Sequence, residues 1–173
     1  MLPAAPVPAM VQADPEVVLI SLFPILEREA WLELLERSQV LLRGSGVPEA
    51  TRAKLHWMVL RAVCGAAYER RLSLARAAAA LDPLVGQRVS FPLRPLAGDR
   101  GWVLAADRRS AEGTETSGRS VQMEVRLDLA TAAPALEGEV IATGTFMAWK
   151  APEGLVRNPR LRLSFADTRL ERP

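Results

Sequence analysis

The chain has 173 residues, of which 49% are hydrophobic and 24% are charged, and its formal net charge is +2. These values are typical of a chain that folds around a core, and they exclude a disordered tail. The longest apolar stretch, 17–26, is about half the ~20 residues that cross a bilayer. The N-terminal sequence MLPAAPVPAM lacks the basic start of a signal peptide. We therefore expect a soluble cytoplasmic protein that does not insert into membranes.

Cys64 is the only cysteine and His56 the only histidine. A lone cysteine can form neither an intramolecular disulfide nor a cysteine-based zinc site within one chain. The two residues share a predicted helix and lie about 12 Å apart along its axis, whereas a catalytic Cys–His pair needs about 3 Å. A serine triad would have His56 as its only conventional base. We expect no metal, no cofactor and no catalysis by a Cys–His pair or a serine triad.

The first part of the chain predicts a flexible segment followed by two helices. Residues 1–13 are rich in proline and alanine, which is typical of a flexible terminus. Residues 14–16 (DPE) supply an N-cap, a proline in the first turn and an acid, so they predict a helix start. Pro24 predicts the end of a short first helix, because it removes a backbone donor. A second helix is then expected over 26–42, ending at 44–46 (GSG).

A third helix is predicted to begin at 47–49 (VPE) and to extend to about residue 81. That length is unusual in a globular protein, so a break is expected near Gly65 or at 70–73. The region 14–84 is therefore predicted to be helical throughout, as a helical hairpin or small bundle.

The region 85–173 has a different periodicity. From Val121 to Leu129 apolar and polar residues alternate without a fault, the pattern of a half-buried strand. A parity change in the last strand predicts a bulge near 166–167. The polar stretch 107–120 predicts a loop. The predicted strands are 87–93, 102–106, 121–129, 137–150 and 160–170.

Short links between sequential strands predict antiparallel pairing. Pro92 and Pro95 predict that the first strand lies at an edge. The predicted fold class is α+β: the helical region is followed by an antiparallel β-sheet or small β-barrel of about five strands, possibly as one compact unit.

Arginine supplies 20 of the 22 positive side chains. A GC-rich bacterial genome explains such a bias, and recognition of phosphate or carboxylate groups is the functional alternative. If the C-terminal cations converge beside a tryptophan, they form a basic and aromatic surface suited to single-stranded nucleic acid or a nucleotide. The candidate binding residues are Arg126, Trp149, Lys150, Arg157, Arg160, Arg162 and Arg169.

Carboxylates offer the remaining route to catalysis. Glu124 and Asp128 share one strand face, and Glu137 and Glu139 lie on the next predicted strand. If these two strand faces lie on the same side of the sheet, the four acids gather near arginine side chains and could form a catalytic site. Otherwise they form cross-strand ion pairs on a solvated sheet face.

These observations predict a non-enzymatic binding, adaptor or assembly protein that acts through its β region or a helical face. The expected partner is another protein or a second copy of the chain. A nucleic-acid or nucleotide-binding protein with an OB-like barrel is the first alternative, and a carboxylate-based enzyme is the second.

Overall fold

A computed structural model of the protein describes residues 14–95, 102–104, 122–130 and 138–173. Within these ranges the helices precede the strands, in agreement with the predicted α+β class. The predicted flexible segment 1–13 and loop 107–120 lie outside the described residues. The helices are α1 (Pro15–Ile20), α2 (Phe23–Glu27), α3 (Trp31–Arg43), α4 (Glu49–Tyr68) and α5 (Leu74–Leu81), followed by a 3-10 turn (Asp82–Leu84). The strands are β1 (Arg88–Pro95), β2 (Trp102–Leu104), β3 (Met123–Leu129), β4 (Val140–Lys150) and β5 (Leu161–Glu171).

The single helix predicted over 26–42 is wrong, because the chain turns between α2 and α3. Glu29 adopts a left-handed conformation with φ of 57°. The Ala30 N–H donates to the carbonyl oxygen of Ile25 at 3.1 Å, which ends α2 as a Schellman-type turn. Pro24 lies in the first turn of α2, where its missing N–H leaves no helical bond unmade.

The predicted long third helix breaks at 70–73, one of the two expected positions. Arg70 has φ of 60°, and the Arg71 N–H donates to the carbonyl oxygen of Ala66 at 2.8 Å. Ser73 then starts α5, since its hydroxyl accepts the Arg76 N–H.

α4 is the central helix, buried along most of its length. The Trp31 side chain of α3 lies fully buried against it. The Arg61 guanidinium lies 5.2 Å from the centre of the indole ring, and Glu69 accepts the indole N–H at 2.9 Å. Gly65, between them, lets the indole approach the helix backbone, because a Cβ there would overlap the ring. Arg61, Gly65 and the C-cap residue Glu69, spaced four residues apart, thus form one stripe along α4 against which Trp31 packs.

The strands form a mixed sheet in the order β2-β1-β4-β5-β3. β3 pairs with β5 in parallel, and the other neighbouring pairs are antiparallel. The prediction of a wholly antiparallel sheet is therefore wrong. The sheet does not close into a barrel, because β2 and β3 are its two ends in the strand order. Pro92 and Pro95 predicted that β1 is an edge strand. This prediction is wrong, since β2 pairs with the last residues of β1.

The parallel pair arises because β5 lies between β3 and β4. β3 and β4 follow each other in sequence but are not hydrogen-bonded to each other. Crossing one intervening strand requires a span of about 10 Å, which the short link 130–139 can cover. A short link can therefore join two strands that are neighbours in the sheet or two strands that are separated by one other strand.

The predicted bulge in β5 is present at 166–168, where Asp167 has φ of 49° and the register with β4 shifts. Gly144 lies opposite the bulge, and a Cβ on it would come within 2.6 Å of the Thr168 hydroxyl oxygen. Glycine at this position permits the close approach of the two strands.

Helices and strands share one hydrophobic core. Trp57 of α4 stacks on Phe91 of β1 with ring centroids 4.6 Å apart. Phe165 lies 4.9 Å from Phe91 and 5.6 Å from Phe146, so the aromatic contacts continue across the sheet. This packing buries one face of the sheet beneath α4.

Candidate functional site

The two faces of the sheet differ in burial. On β4 and β5 every second residue is buried, and the intervening residues are partly or fully exposed until the bulges interrupt the pattern. α4 packs on the buried face, where it contacts β1, β3 and β5. The outer face is the set of side chains that alternates with this buried set. Its apolar members are Pro92, Ile141, Ala148 and Ala166. Its polar and charged members are Arg88, Ser90, Glu124, Arg126, Asp128, Thr143, Thr145, Lys150, Arg162, Ser164, Arg169 and Glu171.

Hydroxyl side chains occupy the middle of the outer face. Thr143 lies opposite Ser90 in the β1–β4 register, and its hydroxyl donates to the Ser90 hydroxyl oxygen at 3.3 Å. Thr145 and Ser164 lie on β4 and β5. All four are partly exposed, so their oxygens can exchange hydrogen bonds with water for bonds with a partner.

Charged side chains surround this row of hydroxyl groups. Lys150 lies opposite Arg162, and Arg162 lies opposite Glu124 on β3. The Arg162 Nε–H donates to Glu124 at 2.8 Å in an exposed ion pair. Arg126 is in register with Ser164, and Arg169 is in register with Thr143. Cations and carboxylates are interspersed, so the outer face has no strong field of one sign.

The structure brings together part of the predicted binding set. Arg126, Lys150, Arg162 and Arg169 share the outer face. Arg157 and Arg160 are exposed and lie in the loop between β4 and β5, not on the sheet.

Trp149 is separated from those cations. It lies opposite the buried Leu163, on the helix-facing side, and its indole N–H donates to the Asp82 carboxylate at 2.8 Å. A bulge at Phe146–Ala148 shifts the parity of β4, which moves Trp149 to the buried side.

No aromatic ring lies on the outer face among the described side chains. Phe91, Phe146 and Phe165 all pack into the core with Trp57. Single-stranded nucleic-acid platforms stack bases on exposed aromatics, and the described part of this face offers none.

His56 joins α4 to β1. Its Nδ1–H donates to the carbonyl oxygen of Arg88 at 2.8 Å, and the ring is buried. Removal from water lowers the pKa of His56, the nearby charge of Arg52 lowers it further, and the hydrogen bond to Arg88 opposes the shift. This geometry makes His56 a structural contact between helix and sheet.

Cys64 is fully buried in α4. Burial raises the pKa of its thiol to about 12, although the charge of Arg61 acts in the opposite direction. The thiolate is the nucleophilic form, so Cys64 is an inert core residue at neutral pH.

Only part of the predicted carboxylate site lies among the described residues. Glu137 lies outside the described residues, and Glu124 is engaged with Arg162. Within the described part of the chain, no group of three or more His, Cys, Asp or Glu side chains could hold a metal ion.

Neither the hydroxyl row nor Arg88 was among the predicted binding residues. The signal was present: Ser90 lies between Val89 and Phe91, Thr143 and Thr145 alternate with Ala142 and Gly144, and Ser164 lies between Leu163 and Phe165. In each strand a polar residue falls between two core residues, as on one exposed face of a sheet.

None of the described helices is both long and apolar enough to span a bilayer. Comparison of the chain with protein-family models, with curated proteins and with solved structures gives no match.

Proposed function

We propose that the protein is a non-enzymatic binding or assembly protein, and that the outer face of the sheet is its contact surface for a protein partner. One observation carries this proposal: the described helices that contact the sheet pack on its inner face, and the outer face is mostly polar, with half-exposed hydroxyl groups at its centre. Non-obligate interfaces are about as polar as the rest of a protein surface, so this composition is compatible with one.

Charge on the outer face favours a protein over a nucleic acid. Glu124, Asp128 and Glu171 lie among its cations and would repel phosphates. A folded protein surface presents both signs and can complement both. Arginine forks and hydroxyl groups supply directional hydrogen bonds for such a surface.

The test places two negative charges in the middle of the outer face. A Thr145→Glu/Ser164→Glu variant should weaken partner binding by about 10-fold or more, because like or unpaired charges in an interface are costly. An Ala75→Glu/Ala79→Glu variant adds the same charge on exposed positions of α5 and should bind like the parent. A photo-crosslinking residue placed at position 126 in the parent and in both variants reports whether the outer face contacts a partner. Light scattering measures the oligomeric state and so distinguishes a second copy of the chain from a different protein.

Loss of the crosslink in the sheet variant alone supports the proposal. Equal crosslinking in all three proteins contradicts it. Fluorescence anisotropy with a labelled oligo-dT is the second measurement. If oligo-dT binding falls steeply with increasing salt concentration and requires Arg126 and Arg169, the partner of the outer face is a nucleic acid and not a protein.

A further inference from the structure

The loop between β4 and β5, residues 151–160, exposes two aliphatic side chains at its tip. Leu155 is completely exposed, at 108% of its reference area, and the exposed fraction of Val156 is 46%. A single surface leucine is common, but adjacent exposed aliphatics at the tip of a protruding loop form an apolar point without a partner in the described structure.

This loop is held against the end of α4. The Asn158 side-chain amide donates to the carbonyl oxygen of Tyr68 at 3.1 Å. Tyr68 is the last residue of α4, and Arg70 and Arg71 follow it after Glu69. The contact therefore brings the loop and the α4 terminus to the same end of the molecule.

The described residues that adjoin this contact include five cations and three carboxylates, one of which, Asp82, accepts the indole N–H of Trp149 beside Lys150. Glu69 pairs with Arg71 at 3.3 Å, and Glu153 is exposed in the loop. The other four cations make no side-chain hydrogen bond or ion pair within the described part of the chain. They are Arg70, Lys150, Arg157 and Arg160.

Proximity to a helix C-terminus explains part of this cluster, because cations complement the negative end of the helix dipole. It does not explain two exposed aliphatic side chains beside them. Cations around a protruding apolar tip are the combination that adsorbs to an anionic lipid surface, with the aliphatic groups at the acyl boundary and the cations at the head groups.

We propose that this end of the molecule, the 151–160 loop with Arg70 and Lys150, is a peripheral docking surface for anionic lipid bilayers. Adsorption of this kind needs no spanning helix. The loop has no aromatic residue on which a base could stack, and exposed leucine contributes nothing to phosphate binding, so lipid is favoured over nucleic acid. Lys150 belongs to both this surface and the outer face of the sheet, whereas the loop and Arg70 lie outside that face, and the proposal does not depend on the function proposed for the outer face.

Flotation of the full chain with vesicles tests the proposal. The vesicles contain phosphatidylcholine alone or with about 30 mol% phosphatidylserine, an anionic surface that attracts clustered cations. We expect binding only to the anionic vesicles, with a decrease from low to physiological salt. An Arg157→Ala/Arg160→Ala variant should lose about 25-fold in partitioning, from about fivefold for each cation. A Leu155→Ser variant should lose about tenfold.

Matched control variants distinguish a specific effect of this surface from a general effect of lower net charge or lower surface hydrophobicity. Arg43→Ala/Arg172→Ala removes two exposed arginines, one of them at the end of α3 next to the start of α4, and Ile20→Ser removes an exposed aliphatic side chain from α1. Both should bind vesicles like the parent. All substitutions are at exposed positions, and urea unfolding verifies that each variant remains folded.

Three results would overturn the proposal. They are equal binding to neutral vesicles, an equal loss in the control variants, and no loss with Leu155→Ser. Binding to oligo-dT that requires Arg157 and Arg160 but not Leu155 would assign the cluster to nucleic acid instead. The Thr145→Glu/Ser164→Glu variant should keep its vesicle binding, so failure of one proposal is distinguishable from failure of the other.

Discussion

At the scale of single residues, Gly65 determines how closely α3 can approach α4. Replacement by alanine in an open helix interior would stabilise the helix by about 1 kcal/mol. Here we expect the opposite sign, because the new methyl group would overlap the Trp31 indole. Gly65→Ala should lower the free energy of unfolding by about 1–3 kcal/mol, as other overpacked cores do.

Urea denaturation measures the effect, and a double-mutant cycle identifies its cause. In a Trp31→Leu background the smaller side chain leaves room for the methyl group, so Gly65→Ala should cost much less. Equal costs in the two backgrounds would show that the indole is not the obstacle.

His56 gives a second prediction at this scale. The pKa of the ring is lowered in the folded protein, so below pH 6.5 the unfolded chain binds more protons than the native protein. Stability should therefore fall as pH decreases from 7.5 towards 5, while the His56 contribution is fully present above pH 6.5.

Denaturation of the parent and of His56→Gln at both pH values tests this dependence. Acidic groups affect the two proteins equally, so the difference between their slopes reports on His56. Parallel slopes would contradict a buried neutral imidazole.

At the scale of secondary structure elements, the left-handed residue after α4 is an arginine where glycine is usual. Arg70→Gly should raise the free energy of unfolding by about 0.5–1 kcal/mol, because glycine adopts positive φ without steric cost. Arg71→Gly, one position later, should not stabilise, since Arg71 does not have positive φ and glycine enlarges the unfolded ensemble. Thermal unfolding of both variants measures the contrast, and stabilisation by both would refute the conformational explanation.

The elements themselves were largely predictable, because each depends on local periodicity. The alternation over 121–129 and the cap at Asp14 indicated β3 and α1 within a few residues. The separation of α2 from α3 was missed because Glu29 is not a residue that signals a left-handed turn. Trp149 was placed with the cations because strict alternation takes no account of the bulge at Phe146–Ala148.

At the scale of the whole molecule, pairing partners could not be read from periodicity. A strand pattern specifies which side chains point inward but not which strand lies beside it. The position of β5 between β3 and β4 depends on contacts between distant residues. The outer face was predictable as a polar face, whereas the convergence of Arg126, Arg162 and Arg169 required the register.

The shared core predicts one cooperative unfolding transition. Trp57 of α4 stacks on Phe91 of β1, so its fluorescence reports on contact between helices and sheet. In urea, tryptophan fluorescence and far-ultraviolet circular dichroism should follow the same transition. Two separated transitions would show that 14–84 and 85–173 are independent folding units.

The insertion of β5 between two earlier strands also orders events during synthesis. β3 leaves the ribosome before β4, yet its hydrogen-bonding neighbour β5 is translated after both. Until residues 161–171 have emerged, β3 lacks β5, its strand partner in the described part of the sheet, and its backbone is either solvated or bound by a chaperone. The native pairing of β3 therefore forms only after β5 has been made, and a ribosome stalled before residue 161 would carry a chain in which β3 lacks this partner, as an exposed strand edge of the kind that promotes aggregation.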